Sequence, residues 1–270
     1  MLAIKNNIMA VNAARYLGVS YEALAQSVER LSSGLRINTA KDDAAGLAVR
    51  ELMRADIAVL QQGARNAQDG ISLVQVAEGG MQTIDDLLVR MKQLAEQAAT
   101  GVYSSAQRAI MDNEFDELAD EIERIAGAAE FNGISLLNSA SGTVSVVFGG
   151  SSDAITIDMV DMTKSGLGID VLNINTAASA QAALSGLDSA INTANTARAD
   201  FGAKMNRLEN VVGVVNVQAE NLMAAESRIS DVDVATEMSA LTRNQVLTQA
   251  GVAMLAQANV LPQMALTLLR

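Results

Sequence analysis

The chain has 270 residues, half of them apolar, with 31 acidic against 19 basic side chains, a formal charge of −12, and no cysteine or histidine. That inventory excludes disulfides, thiol nucleophiles, imidazole bases and the usual zinc ligands, and the acidic excess repels nucleic acid and anionic lipid. With three Tyr, four Phe and no Trp, any core has to be built from Ala, Leu, Val, Ile and Met, a helix-on-helix palette, and the single proline, Pro262, leaves long helices unbroken before it.

The first segment, "MLAIKNNIMAVNAARYLG", has no continuous apolar run and no small-residue cleavage site, so it does not read as a secretory signal peptide. Leu17, Tyr21, Leu24, Val28, Leu31 and Leu35 step by four and three, and this spacing predicts a helix whose seam faces a partner helix. The stretch "LSSGLRINTAKDDAAG" interrupts it. Gly34 and Asn38 permit a change of direction there. Thr39 and Asp42 fit a capping box opening the next helix, and Asp42 and Asp43 suit the positive end of its dipole. One glycine without the Walker spacing is too little for a phosphate-binding loop; the stretch is either a joint with a mechanical job or a plain capped loop.

A near-heptad series from Leu60 through Ala67, Val74, Met81, Leu88 and Ala95 predicts a second helix from about Asp43 to Thr100, which at the α-helical rise spans roughly 85 Å. Gly63, Gly70, Gly79 and Gly80 inside it each disfavour helix by ~1 kcal/mol relative to Ala. They either serve close helix contacts and small axial shifts or are tolerated because packing dominates. "TGVYSSAQ" then turns the chain, and Met111, Phe115, Leu118, Ile122, Ile125 and Ala129 mark a third helix packing back antiparallel.

"TVSVVF" and "AITIDMV" are rich in β-branched residues and flank "GGSSD", which predicts a hairpin, with "IDVLNI" as a third strand. The three- and four-residue steps return from Leu184 to Ile229 as one more long helix. Past Asp231 and Asp233, a final helix carrying Met238, Leu241, Val252 and Leu255 is expected to end near Pro262. From Asn244 to Leu269 no residue is charged, yet six amides are spread through the stretch. That many amides suit a bilayer poorly, which leaves a helix buried among other chains or one docked on its own domain.

The expected fold is mainly α, a rod of long antiparallel coiled-coil helices from both chain halves with a small β-hairpin region. Residues 1–42 and 230–270 form one discontinuous unit of terminal helices, and residues 43–229 form a helical rod domain with the hairpin region at about 139–175. Both chain ends are apolar and poor in charge, and exposed apolar area on that scale marks an interface, so the fold is expected to complete itself in an assembly. Adjacent acids such as Asp85 and Asp86 point in different directions on a helix and read as surface charge, not an acid–base pair.

"ERLSSGLRINTAKDDAAGLAV", "GISLVQVAEGGM", "EFNGISLLN", "ESRISDVDVATEMSAL" and "NVLPQMALTLLR", in this order, resemble bacterial flagellin. The resemblance covers both terminal regions, and the short middle makes it similar to a minimal flagellin of the two inner layers. It implies a structural subunit, neither an enzyme nor a cofactor, nucleic-acid or membrane binder, that polymerises with its own copies into the helical flagellar filament for swimming. The resemblance places Leu17, Tyr21, Leu24, Val28, Leu31, Met238, Leu241, Val252 and Leu255 in inner-tube assembly. It makes Gly34, Arg36, Asn38, Thr39, Lys41, Asp42 and Asp43 a spoke between tube and shell.

The same resemblance implies export by the flagellar type III route, without a cleaved signal peptide, to an extracellular filament. An export chaperone, a filament cap and junction proteins are the implied partners. Arg90, Leu94 and Glu114 match the segment recognised by Toll-like receptor 5, with Val89 and Gln93 departing from the commoner residues. Leu268, Leu269 and Arg270 match a carboxyl-terminal motif sensed by cytosolic receptors. A hook–filament junction protein, which shares the terminal design, is the alternative.

Overall fold

A computed structural model describes residues 6–139, 142–150 and 153–268. In chain order it contains α1 (Ile8–Ser33), α2 (Ala44–Ala99), α3 (Ser105–Ala128), β1 (Glu130–Phe131), β2 (Ile134–Ser135), β3 (Thr143–Val147), β4 (Ala154–Asp158), α4 (Ala177–Ser230) and α5 (Val234–Leu268). It is a mainly α chain with two small antiparallel hairpins. Among the described residues, no helix is long and apolar enough to cross a membrane.

Four expectations need correcting. α3 starts earlier than its apolar stripe suggests, because Ser104 and Gln107 form a reciprocal capping box inside the stretch read as a turn. "IDVLNI" is not a strand: Ile169 and Ile174 are buried, Val171 is exposed, and the Ile174 N–H donates to Asp112 Oδ1 at 2.7 Å instead of to a neighbouring strand. α5 continues through Pro262 to Leu268, since one missing N–H removes a single ladder bond without stopping the helix. The β1–β2 hairpin was not anticipated; Asn132 (φ 51°) and Gly133 (φ 77°) supply the two left-handed residues of a tight I′ turn.

The fold divides into two compact units, and the cuts fall inside α2 and α4 rather than at the loops: residues up to Asp56 with those from Asn221 on, and Ile57–Glu220. In the second unit, Met81, Ile84, Leu88 and Met91 of α2, Phe115 and Ile122 of α3, and Leu187, Phe201 and Leu208 of α4 are buried in one cluster. Leu136, Leu137, Ile157, Met162 and Ile169 join it from the hairpins and the segment after them.

Three of the α2 glycines seat residues of the hairpin region first, and Gly70 and Gly80 also approach Leu208 of α4 and Ile125 of α3. A Cβ on Gly63 would lie 2.0 Å from the Phe148 carbonyl oxygen, one on Gly70 would lie 2.9 Å from Val146 Cγ2, and one on Gly80 would lie 2.9 Å from Leu137 Cδ1. Gly79 faces open space. The β3–β4 hairpin pairs Thr143 with Asp158 through Val147 with Ala154. Its outward carbonyls are held by side chains, Val147 O accepting from Asn66 Nδ2 on α2 and Thr156 O from Lys204 Nζ on α4, both at 2.8 Å.

In the first unit, α1 and α5 run antiparallel. Asn7 Nδ2 donates to Ala258 O at 2.8 Å near one end, Leu17 packs on Gly251, and Arg30 approaches Glu237 at 3.6 Å toward the other. Ile37 and Ala258 are the buried apolar residues of this unit among those described.

Candidate assembly surface and joint

The α1–α5 contact interleaves leucines with small and polar residues. On α1 the sheltered positions include Ala13, Leu17, Ser20, Leu24, Ser27 and Leu31, and on α5 they include Leu241, Asn244, Thr248, Gly251, Leu255 and Ala258. Thr248 is buried and folds its hydroxyl back onto the carbonyls of Asn244 and Gln245. The residues expected to take part in assembly divide by exposure. Leu17, Leu24, Leu31, Leu241 and Leu255 face the partner helix, whereas Tyr21 and Val28 are each 52% exposed, and Met238 and Val252 are 47% and 49% exposed. Ser20 and Ser27 take the alternate heptad positions because a small side chain lets the helices approach closely. Larger neighbours are left outside, including Val246, Leu247 and Met254 on α5. A helix apolar on every side is the kind that is buried on every side, which makes the outer face of α5, with the exposed apolar residues of α1, the candidate contact surface.

The loops at the ends of the pair lock onto each other. Gly34 closes α1 with φ 74° and its N–H on Arg30 O at 2.9 Å. Arg36 N–H then donates to Ser230 O at 2.6 Å and Val232 N–H to Gly34 O at 3.0 Å, making a short antiparallel bridge between Leu35 and Asp231. The Arg36 guanidinium adds a bond to Ile229 O at 2.6 Å. Arg50, buried on the first turns of α2, donates to Ile37 O at 2.7 Å and to Glu51.

The capping assignment changes in this joint. Asp42 does reach back to Thr39, accepting its N–H and its hydroxyl, each at 3.0 Å, but this closes the turn before the helix. The residue that opens α2 is Asp43, whose Oδ1 accepts from Gly46 N–H at 2.9 Å. The Thr39 backbone bond, then the Thr39 hydroxyl, hold the Asp42 carboxyl below its ordinary pKa, and the Gln26 amide at 3.0 Å helps. Asp233 plays the matching role for α5: the Thr236 hydroxyl first, then the N–H groups of Thr236 and Ala235, lower its pKa. The structure thus gathers Gly34, Arg36, Asn38, Thr39, Asp42 and Asp43 into one hydrogen-bonded joint, while Lys41 is exposed.

The other candidates lie apart. Arg90 on α2 and Glu114 on α3 form an exposed ion pair at 2.6 Å. Leu94 is 2% exposed and faces the core, so it can only support that surface from beneath. Leu268 ends α5, and Leu269 and Arg270 lie outside the described residues.

Sequence reading missed one organising residue, Asp112. It is buried on α3, with Oδ1 accepting from Ile174 N–H and Oδ2 from Asn175 Nδ2, each at 2.7 Å, and so pins the segment that leads into α4. An acid inside an apolar series was the available signal.

Residues 4–141 match the bacterial flagellin N-terminal helical region and residues 184–269 the bacterial flagellin C-terminal helical region. The chain is 44% identical over 286 aligned residues to a flagellar filament 33 kDa core protein of Treponema phagedenis, and 42% identical over 272 to a flagellin of Halalkalibacterium halodurans, covering all of both chains in each case. A solved Bacillus cereus flagellin superposes with a TM-score of 0.52 at 35% identity, covering 60% of this chain and 94% of that one.

Proposed function

We propose, from the premise that this chain belongs to the bacterial flagellin family and is a structural subunit of the flagellar filament, that its two units divide the labour of assembly. The first unit supplies the inner contacts of the polymer through the outward faces of α1 and α5. The second supplies a folded shell that is complete before assembly. The observation that carries this division is the placement of Tyr21, Val28, Met238, Val246 and Val252 in water while leucines interleaved with small residues fill the α1–α5 contact. Large apolar side chains left exposed on both members of a helix pair are stabilised only by further copies.

The joint holds the angle between successive helices within the terminal unit, and Lys41 at its surface is available to a neighbouring subunit. Export by the flagellar type III route, a chaperone covering α5 before assembly, and a cap and junction proteins at the filament's ends fit an exposed apolar helix that must be kept from premature association. The Arg90–Glu114 pair and the carboxyl-terminal residues Leu268 to Arg270 are the places where host receptors would engage a free subunit.

Adding purified chain to sheared filament seeds tests the central reading. Elongation that continues with protein supply is the expected result, and Tyr21→Asp or Val252→Asp should stop it while leaving helical circular dichroism unchanged. Unimpaired growth of both variants overturns the reading. Growth that halts at a short fixed length would fit a junction protein instead.

A further inference from the structure

The chain contains 13 methionines and neither cysteine nor tryptophan nor histidine, so thioethers are its principal targets for two-electron oxidants. They are not evenly sheltered. Met81, Met91 and Met162 in the second unit are 0% exposed and Met159 is 5% exposed. In the terminal unit, Met9, Met238, Met254 and Met264 are 64%, 47%, 61% and 47% exposed on α1 and α5, and Met223 on α4 is 42% exposed. The first four sit on the outward surface of α1 and α5, assigned above to contacts with further copies.

We infer that Met9, Met238, Met254 and Met264 form an oxidation-sensitive modification site that controls polymerisation of the free subunit. This inference rests on the assembly role proposed for the α1 and α5 faces. A hydroperoxide supplies the chemistry. The thioether sulfur attacks the terminal peroxide oxygen, the O–O bond breaks, and sulfur gains an S=O bond as it is oxidised by two electrons. With hydrogen peroxide the displaced oxygen leaves as water. The side chain changes from a flexible apolar group into a polar, chiral one. In an isolated subunit the sulfoxide is solvated and costs little. In a polymer it has to be buried in an apolar contact, and burying a polar group without a partner is unfavourable. Oxidation therefore removes a subunit from the assembling pool without unfolding it, and incorporation shields the same sulfurs from further attack.

Two readouts separate this inference from the assembly reading on which it depends. Subunits are treated with graded hydrogen peroxide, and sulfoxide at each methionine is quantified by peptide mass spectrometry. Met9, Met238, Met254 and Met264 should be oxidised well before Met81, Met91 and Met162. Equal rates overturn the site whether or not the protein polymerises. The same samples are then added to seeds. The critical concentration should rise about tenfold per buried sulfoxide, the factor expected from an unpartnered polar group at an interface. Treatment with methionine sulfoxide reductases should restore growth.

A chain carrying Met9→Leu, Met238→Leu, Met254→Leu and Met264→Leu, which keeps the apolar volume, should elongate after peroxide at its untreated rate. If the treated wild-type chain elongates as fast as the untreated one, the control of polymerisation is wrong. If the leucine variant is as peroxide-sensitive as wild type, the damage lies elsewhere and the assignment is wrong. Failure of the untreated chain to elongate is the separate outcome that removes the assembly reading, and with it the control of polymerisation.

Discussion

The two units put their large side chains to opposite uses. In the second, Phe115, Met81, Met91 and Leu88 fill a common interior, and glycines are cut into α2 where hairpin residues press against it. In the first, leucines alternate with serines, a threonine and a glycine in the helix contact, and Tyr21, Val28, Met238, Val246 and Val252 lie in water. A closed core stabilises a chain by itself, whereas the terminal pair leaves large apolar side chains exposed, on the surface proposed above to meet further copies. The sharpest way to break this contrast is to truncate one large residue in each unit. Phe115→Ala should cost about 3–5 kcal/mol of monomer stability and slow filament growth only by the fraction unfolded. Val252→Ala should change monomer stability by less than about 0.5 kcal/mol yet raise the critical concentration for growth. Thermal melts paired with seeded elongation measure both, and parallel losses in the two assays would show that the units are not specialised.

Inside the second unit, the way the hairpins and the pre-α4 segment are fastened gives two further tests. Gly63→Ala forces a methyl into the Phe148 carbonyl, and overpacking of this kind should cost about 1–3 kcal/mol. Asp112→Ala leaves the Ile174 N–H in a buried site without its acceptor, a loss of about 1–3 kcal/mol. The first should show faster amide exchange in β3 and β4, and the second in residues 169–176, with the α1–α5 pair unaffected in both. Gly79→Ala is the control, since its methyl meets nothing within 4 Å and should stabilise the helix by up to about 1 kcal/mol. Filaments of that variant that retain every waveform of the wild type would leave helix propensity as the whole consequence of Gly79.

How much of this could be read from the chain follows from which forces are local. The long helices and the β3–β4 hairpin were legible because periodicity and β-branched runs report burial directly. The terminal seam was legible only in part: Leu17 and Leu24 lie on it, but the same spacing also passes through Tyr21 and Val28, and nothing local says that Ser20 and Ser27 would be preferred as the close contact. Thr39 and Asp42 satisfied the capping pattern and still did not cap, because Asp43, one residue on, was better placed for the first turn of α2. The bridge between Leu35 and Asp231 joins segments nearly the whole chain apart and leaves no trace in either alone. The Asn132–Gly133 turn, in contrast, was readable from its dipeptide and was passed over inside a longer motif.

The smallest expected effect is set by acid, and its sign differs between the units. Asp42 and Asp233 have pKa values lowered by hydrogen bonds to Thr39 and Thr236 in the folded joint. Their contribution is therefore full above the unfolded aspartate value of about 3.9 and is lost as pH falls through the folded values. Asp116 on α3 is shifted the other way, first by desolvation and then by the charges of Asp112 and Asp120, with Lys164 opposing. Its ionised form is disfavoured by folding, so the penalty is full above the folded value and is relieved as pH falls through it. Between pH 7 and about pH 3, hydrogen exchange at Arg36, Thr39 and Val232 should accelerate beyond the intrinsic pH dependence, while the Asp116 turn of α3 should become relatively better protected. Asp42→Asn and Asp233→Asn should remove most of the first change, and Asp116→Asn should remove the second. Uniform acid loosening of joint and α3 alike would mean that general charge repulsion, rather than these three carboxyls, governs the response.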